Sequence, residues 1–335
     1  MKKIIALTDY RNSYWSKHYD EPYRSGFDQN KMTEYFFESG YELEILRIDS
    51  IQDFREFNDS WVIYTSSEDH ELYYKSFIED IILGISLAGG KIIPRYELLR
   101  AHHNKVFMEI LRKVLLKDDT LNCHWFGISE EIQKISGLIF PCVVKKSTGA
   151  TSSGVFLAHN YRQLKRILFK ISATYSLKLQ FHDLLRKVRH KGYIPESFHR
   201  RKFIVQNFIP GLKGDCKVLI FKNKYYVLNR QNRKNDFRAS GSGRFIYSNE
   251  IPVKLLEYAE QIFNKLDTPV LSLDVAEVKN EQYLIEFQAI CFGTYTLEEA
   301  PFYFVRENSS WVCVEERSSL EKVFVESIVG FINKQ

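Results

Sequence analysis

The chain has 335 residues, a length that suits two or three domains, and its 44% hydrophobic and 27% charged residues are the mix of an ordinary globular protein. Forty-seven Lys and Arg against 42 Asp and Glu leave a formal charge of +5, too mild a balance to indicate nucleic acid by itself. No apolar run approaches the ~18 residues of a membrane span. At the start, Lys2-Lys3-Ile4-Ile5-Ala6-Leu7 imitates a signal peptide only briefly. Asp9 and Arg11 interrupt it short of the ~7–15 apolar residues such a segment needs, so Lys3–Thr8 reads as a first buried strand.

Up to about residue 100, strand patterns at Ile4–Leu7, Leu43–Ile48, Trp61–Tyr64 and Lys91–Pro94 alternate with helical patterns at Gln29–Ser39 and Tyr73–Ala88. Strands separated by helices predict a small parallel α/β domain, with Gly89-Gly90 stopping the second helix. A helix is expected over 97–116, with Leu98, Leu99, Val106, Ile110, Leu111 and Leu115 on its apolar side. Strands follow at Phe140–Lys145, Val155–Ala158 and Phe203–Phe208. Between them, Tyr161–Lys202 reads as helical and strongly basic, with Lys165, Arg166, Lys170, Lys178, Arg186, Lys187, Arg189, Lys191, Arg200, Arg201 and Lys202. From 206 onward, strands are expected at Lys217–Lys222, Lys224–Asn229, Ser272–Val278 and Tyr283–Phe287, and helices at Pro252–Leu266 and Ser319–Phe331. The expected division is therefore an N-terminal α/β domain at 1–100, a central lobe at 101–205 carrying the basic insertion 161–202, and a C-terminal lobe at 206–335.

Five cysteines occur, at 123, 142, 216, 291 and 313, none in a Cys-x-x-Cys pair. The odd count argues against a secreted disulfide framework and predicts free thiols in a reducing cytoplasm.

Three stretches carry chemistry. In Pro141–Val155 a buried strand delivers Lys145 into a loop of small residues, Ser147-Thr148-Gly149-Ala150-Thr151-Ser152-Ser153-Gly154. Small residues let backbone N–H groups approach phosphate oxygens, and a lysine at the strand end neutralises their charge. No Gly-Lys-Ser/Thr precedes a helix, so this is not a Walker loop, and a hairpin with a flexible loop carries the same pattern. In the second stretch, Asp274 and Glu286 sit in apolar strands joined by the polar turn Lys279-Asn280-Glu281-Gln282. Carboxylates so placed need a partner or a cation, and Mg²⁺ takes such oxygen ligands together with nucleotide phosphates. Gln288 shares the face of Glu286, because strand side chains alternate. An edge sheet with its carboxylates in water is the competing reading. The third stretch runs from Phe203 through Gln206-Asn207-Phe208 to Gly214-Asp215-Cys216-Lys217, then to Arg230 and Asp236-Phe237-Arg238 with a Gly-Ser run. The arginine forks suit phosphate or carboxylate oxygens. Taken alone, the stretch reads equally as a basic surface loop.

Two smaller features have plain alternatives. Tyr64–Asp69 follows a strand and opens a helix, which suits either substrate contact or simple capping. His102-His103 are adjacent and do not share a helix face, which favours packing or surface roles over metal binding.

In their order along the chain, these features resemble the ATP-grasp superfamily, and within it the ribosomal-protein glutamate ligase-like carboxylate–amine ligases. The resemblance covers about 97–290, and the first hundred residues look like the α/β domain that precedes the grasp. It implies an α/β fold with α+β lobes: a parallel pre-grasp domain followed by a two-lobed ATP-grasp fold. It assigns Lys105 and Lys145 to ATP phosphates, with Ser147, Thr148, Gly149, Ser152, Ser153 and Gly154 in a closing loop. It places Gln206, Asn207 and Phe208 in the adenine linker, Asp215 and Lys217 in the nucleotide site, and Asp274, Glu286 and Gln288 on Mg²⁺, or Mn²⁺ in its place. Arg230 and Arg238 would steady the phosphoryl group or the acyl phosphate. Four departures stand out: Asn207 where an acid is common, Lys146 in place of proline, Lys217 in place of arginine, and Gln288 in place of asparagine.

The implied reaction is ATP-dependent amide formation through an acyl phosphate, from carboxylate and amine substrates; a small-molecule kinase on the same fold is the alternative. The basic insertion suits an anionic acceptor or a solvated helical pair. Its scattered aromatics argue against single-stranded nucleic acid. An oligomer is compatible with the sequence.

Overall fold

The computed structural model describes residues 2–17, 25–135, 137–149, 154–233, 236–238 and 243–335. Two compact units emerge: 1–102 together with 212–335, and 103–211.

The first unit opens with four parallel strands, β1 (Lys2–Thr8), β2 (Tyr41–Arg47), β3 (Trp61–Tyr64) and β4 (Lys91–Ile93), in the order β2-β1-β3-β4. β1 is central, and its Ile4–Leu7 run is buried throughout, as a strand covered on both faces requires. Helix α1 (Gln29–Glu38) is capped by the Asp28 carboxylate, which accepts from the Asn30 and Lys31 N–H groups. Helix α2 (Tyr73–Leu87) ends where Gly89 turns to φ +91°. A Cβ at Gly89 would lie 2.4 Å from the Asn58 side-chain oxygen, so the turn needs glycine on two counts. Helix α3 (Tyr96–Ala101) follows.

The single helix expected over 97–116 is broken. His103 adopts φ +52°, Asn104 accepts the Phe107 N–H as a new N-cap, and α4 (Lys105–Leu111) starts afresh before a wide π turn at Arg112–Leu116. Apolar periodicity continued across a break that the cap geometry dictates.

The second unit is built on an antiparallel sheet of β5 (His124–Phe126), β6 (Cys142–Lys146), β7 (Val155–Ala158) and β8 (Phe203–Asn207), ordered β5-β8-β6-β7. Helix α5 (Tyr161–Ile171) lays Leu164, Leu168 and Ile171 into a core with Phe126, Ala158, Phe203 and Val205. Helix α6 (Leu177–Arg189) buries none of its residues. Residues 190–202 are not helical, contrary to the expectation for the whole basic stretch; Gly192 at φ +83° and Pro195 explain the stop.

The first unit resumes with β9 (Gly214–Phe221), β10 (Lys224–Gln231), β11 (Phe245–Ile246), α7 (Val253–Leu266), β12 (Val270–Val278), β13 (Glu281–Gln288), α8 (Tyr295–Glu298), β14 (Tyr303–Glu307), β15 (Ser310–Val314) and α9 (Leu320–Ile332). Its sheet runs β13-β12-β9-β10-β14-β15, with β11 beside β10. The β12–β13 turn is only Lys279-Asn280, both at positive φ, a type I′ geometry tighter than the four-residue turn expected. The hairpin β14–β15 was not anticipated. Aromatic packing ties the two parts of this unit together: Trp15 lies 5.2 Å from both Phe292 and Phe324, and Phe27 lies 5.3 Å from Phe324.

Candidate active site

Strand register assembles a polar face in the first unit. Asp215 pairs with Arg230, Lys217 with Asp274, Asp274 with Glu286, and Ser272 with Gln288. Residues opposite one another in an antiparallel pair share a face, as do residues two apart. Asp215, Lys217, Arg230, Asp274, Glu286 and Gln288 therefore emerge together from four adjacent strands. The register slips just beyond Asp274, so that Val275 pairs with Leu284. This bulge sits beside both carboxylates, where such a kink re-aims side chains.

Arg230 is the centre of this face. Its Nε and terminal nitrogen donate to the two oxygens of Asp215 at 2.6 and 2.8 Å, and it reaches Asp274 at 2.8 Å. Lys217 lies 3.4 Å from the other Asp274 oxygen. Burial alone would raise Asp274, but Arg230 and then Lys217 overcome it and hold the carboxyl at about 2. Asp215 goes the other way: burial, aided by the charge of Asp274, outweighs Arg230 and raises it. Asp274 is therefore ionised throughout the physiological range. Gln288 donates to Glu286 at 3.3 Å.

Arg230 thus engages two carboxylates, where the sequence pointed to a phosphoryl or acyl-phosphate contact. Asp215, expected at the nucleotide, is the main partner of Arg230. Arg238 is clasped by Asp236, its Nε 2.9 Å from one oxygen and its terminal nitrogen 2.6 Å from the other. Residues 239–242 of its Gly-Ser run lie outside the described residues.

The donor set of Asp274, Glu286 and Gln288 consists of two carboxylates and an amide, all oxygen-bearing. It fits a hard cation such as Mg²⁺, which needs an ionised carboxylate of the kind Asp274 provides.

The second unit gathers cations. Lys105 and Lys145 are both buried, at the start of α4 and near the end of β6. The Lys105 ammonium donates to the Gly149 carbonyl at 3.2 Å, and its backbone N–H donates to Ser147. Ser147 donates its hydroxyl to Asn104. Helix start and loop are thereby fixed to one another. Thr148 and Gly149 are exposed, and Gly149 stands at φ +110°, a conformation that calls for glycine. Lys146 donates its backbone N–H to Gly154, which closes the described base of the loop; Ser152 and Ser153 lie outside the described residues. Gln206, at the end of β8, is buried with its side-chain oxygen lacking a protein donor among the described residues. Asn207 donates its backbone N–H to Leu121, and Asn207 and Phe208 are half-buried.

The sequence reading missed Glu109 and Arg112, a fully buried pair 3.3 Å apart on α4 and its π turn. Two opposite charges three residues apart inside an apolar helical pattern were the available signal. All five cysteines are free. Burial pushes Cys216 and Cys291 up to about 12, which makes both poor nucleophiles at neutral pH.

One unit offers buried lysines beside a small-residue loop, and the other a sheet face with an oxygen donor set. The RimK-like ATP-grasp domain matches residues 98–296, more than half of the chain. The crystal structure of D-cycloserine synthetase DcsG is similar over 98% of this chain and 99% of its own, with a TM-score of 0.57 and 11% identity. The ATP-grasp ligase PsnB, complexed with precursor peptide PsnA2 and AMPPNP, matches over 98% and 96%, with a TM-score of 0.52 and 10% identity. A RimK domain ATP-grasp protein from Sphaerobacter thermophilus DSM 20745 matches over 87% and 93%, at 14% identity and a TM-score of 0.48. No curated relative matches in sequence. At these identities the solved structures speak for the fold alone. The chain belongs to the RimK-like ATP-grasp family and is an ATP-dependent ligase. Among the described residues, no helix is long and apolar enough to cross a membrane.

Proposed function

We propose that this ligase joins a carboxylate to an amine through an acyl phosphate, releasing ADP and phosphate. The observation that carries the reading is the pairing of chemistries: buried Lys105 and Lys145 beside a small-residue loop in one unit, and an ionised Asp274 aligned with Glu286 in the other. A carboxylate oxygen of the substrate attacks the γ-phosphorus, and the bond to the bridging oxygen of ADP breaks. An amine nitrogen then attacks the acyl carbon; phosphate leaves and the nitrogen loses its proton. Lys105 and Lys145 spread the triphosphate charge. Asp274, Glu286 and Gln288 would hold Mg²⁺, which neutralises phosphate oxygens when bound. Arg238 supplies a guanidinium for the acyl phosphate once it is released from Asp236. Arg230 keeps Asp274 ionised and aimed. The carboxylate is an amino acid, a peptide or a sugar acid of a surface polysaccharide.

The test has two stages. Unfolding temperature is measured with ATP, Mg²⁺ or both; the reading requires the joint shift to exceed either alone. Products are then analysed with candidate carboxylates, with and without an amine. A new carbon–nitrogen bond only in the presence of amine supports the ligase. A stable phosphorylated product regardless of amine would instead make the protein a kinase.

A further inference from the structure

Helix α6 has a composition that its own fold does not use. None of its 13 residues is buried, yet Leu177, Phe181, Leu184 and Val188 recur at a spacing of three or four and stand 85%, 60%, 59% and 80% exposed. At 100° per residue these four, with half-buried Leu185, cover an arc of about 100°. Lys178 and Arg189 border the arc on one side, and Lys187 borders it on the other. The only acid of the helix, Asp183, lies off the arc, where it accepts from the Tyr193 hydroxyl at 2.6 Å and sits 3.7 Å from Arg186. Charge is concentrated here as well. Residues 161–202 contain twelve Lys and Arg against Asp183 and Glu196, a net +10 within a chain whose total is +5.

We propose that α6 is an interfacial helix that seats the protein on an anionic lipid surface. An apolar arc with cations at both edges lets the arc enter the acyl boundary while the long side chains extend to the headgroups. Like charge tells against a second copy of this helix as the occupant. A single helix that buries none of its own residues presents a face and not a groove to a protein partner. Lipid needs only the exposed arc and the positive field.

The experiment is co-sedimentation of the full chain with vesicles of mixed phosphatidylcholine and phosphatidylglycerol, against phosphatidylcholine alone. Binding is expected only to the anionic vesicles, and it should weaken as salt rises. K178Q/K187Q/R189Q should weaken it on the order of 100-fold, from three surface cations. F181S/L184S/V188S should abolish it while leaving the thermal shift with ATP and Mg²⁺ intact, because these side chains support no core. The proposal is overturned by failure to bind anionic vesicles, or by undiminished binding of the serine variant. Capture by an acidic amphipathic peptide without vesicle binding would overturn it too, reassigning the helix to a protein partner.

Discussion

Replacing Arg230 by glutamine tests whether the polar face is held together as the register indicates. In the parent, one buried guanidinium serves Asp215 at 2.6 and 2.8 Å and Asp274 at 2.8 Å, and Lys217 assists at 3.4 Å from Asp274. Glutamine leaves two buried carboxylates facing one lysine, and removing one partner of a buried charge set costs about 3–5 kcal/mol. At roughly 2–4 °C per kcal/mol for a large domain, the unfolding temperature should fall by about 6–20 °C. The assay is thermal unfolding of both proteins in chelator, so that no metal compensates the loss, repeated from neutral pH downward. The sign follows from the folded state. Asp274 is held at about 2, below its ordinary value, so its contribution is present above about 3.8 and is lost only as pH falls towards 2. Without Arg230, burial raises the carboxylates and the variant takes up protons earlier, so the gap should narrow as pH falls toward about 4. A decrement below about 1 kcal/mol at neutral pH would refute the reasoning, since surface ion pairs account for that much.

Glu286→Gln should reduce turnover to background while the protein stays folded, measured as ATP-dependent product formation beside a thermal melt; near-normal activity removes Glu286 from the metal site. Neutralising Arg186, Lys187 and Arg189 together should slow capture of an anionic acceptor at low salt without changing ATP affinity, read as kcat/KM for each substrate, with the difference from the parent shrinking at high salt. The turn pair Lys279-Asn280, both at positive φ, changed to Asn-Gly should raise stability by about 1 kcal/mol without altering activity; a lower melting temperature would mean that the type I′ geometry is misassigned.

Much of the fold could be read where local pattern and tertiary environment agree. Trp61–Tyr64 and Val155–Ala158 form the strands expected, and two apolar runs flanking a short polar turn form the β12–β13 hairpin, although the pairing of Asp274 with Glu286 depends on a bulge that no pattern announces. Where the two disagree, the pattern misleads. The apolar spacing of Leu98, Leu99, Val106 and Ile110 runs through His102–Asn104, yet the Asn104 carboxamide and the αL backbone of His103 start a new helix. The hairpin of Tyr303–Glu307 and Ser310–Val314 was missed because it is half exposed and interrupted by Arg306 and Glu307, so no clean alternation survives. Within the site, chemical types and order were legible and partners were not. That Arg230 belongs to Asp215 and Asp274 depends on β9 lying between β10 and β12, an adjacency that brings Arg230 to a residue far along the chain.

The two units carry different chemistry, which bears on what each can bind. In the first unit, Asp215 and Asp274 share Arg230, Lys217 lies 3.4 Å from Asp274, and Glu286 stands opposite Asp274. The oxygen donors of this face favour a small cation. In the second unit, Lys105 and Lys145 are buried beside the small-residue loop, and buried Arg112 lies 3.3 Å from Glu109. Buried ammonium groups favour a polyanion over a cation. A nucleotide triphosphate with its divalent ion carries both demands in one ligand, and so the stabilisation by ATP and by Mg²⁺ should be mutual rather than additive.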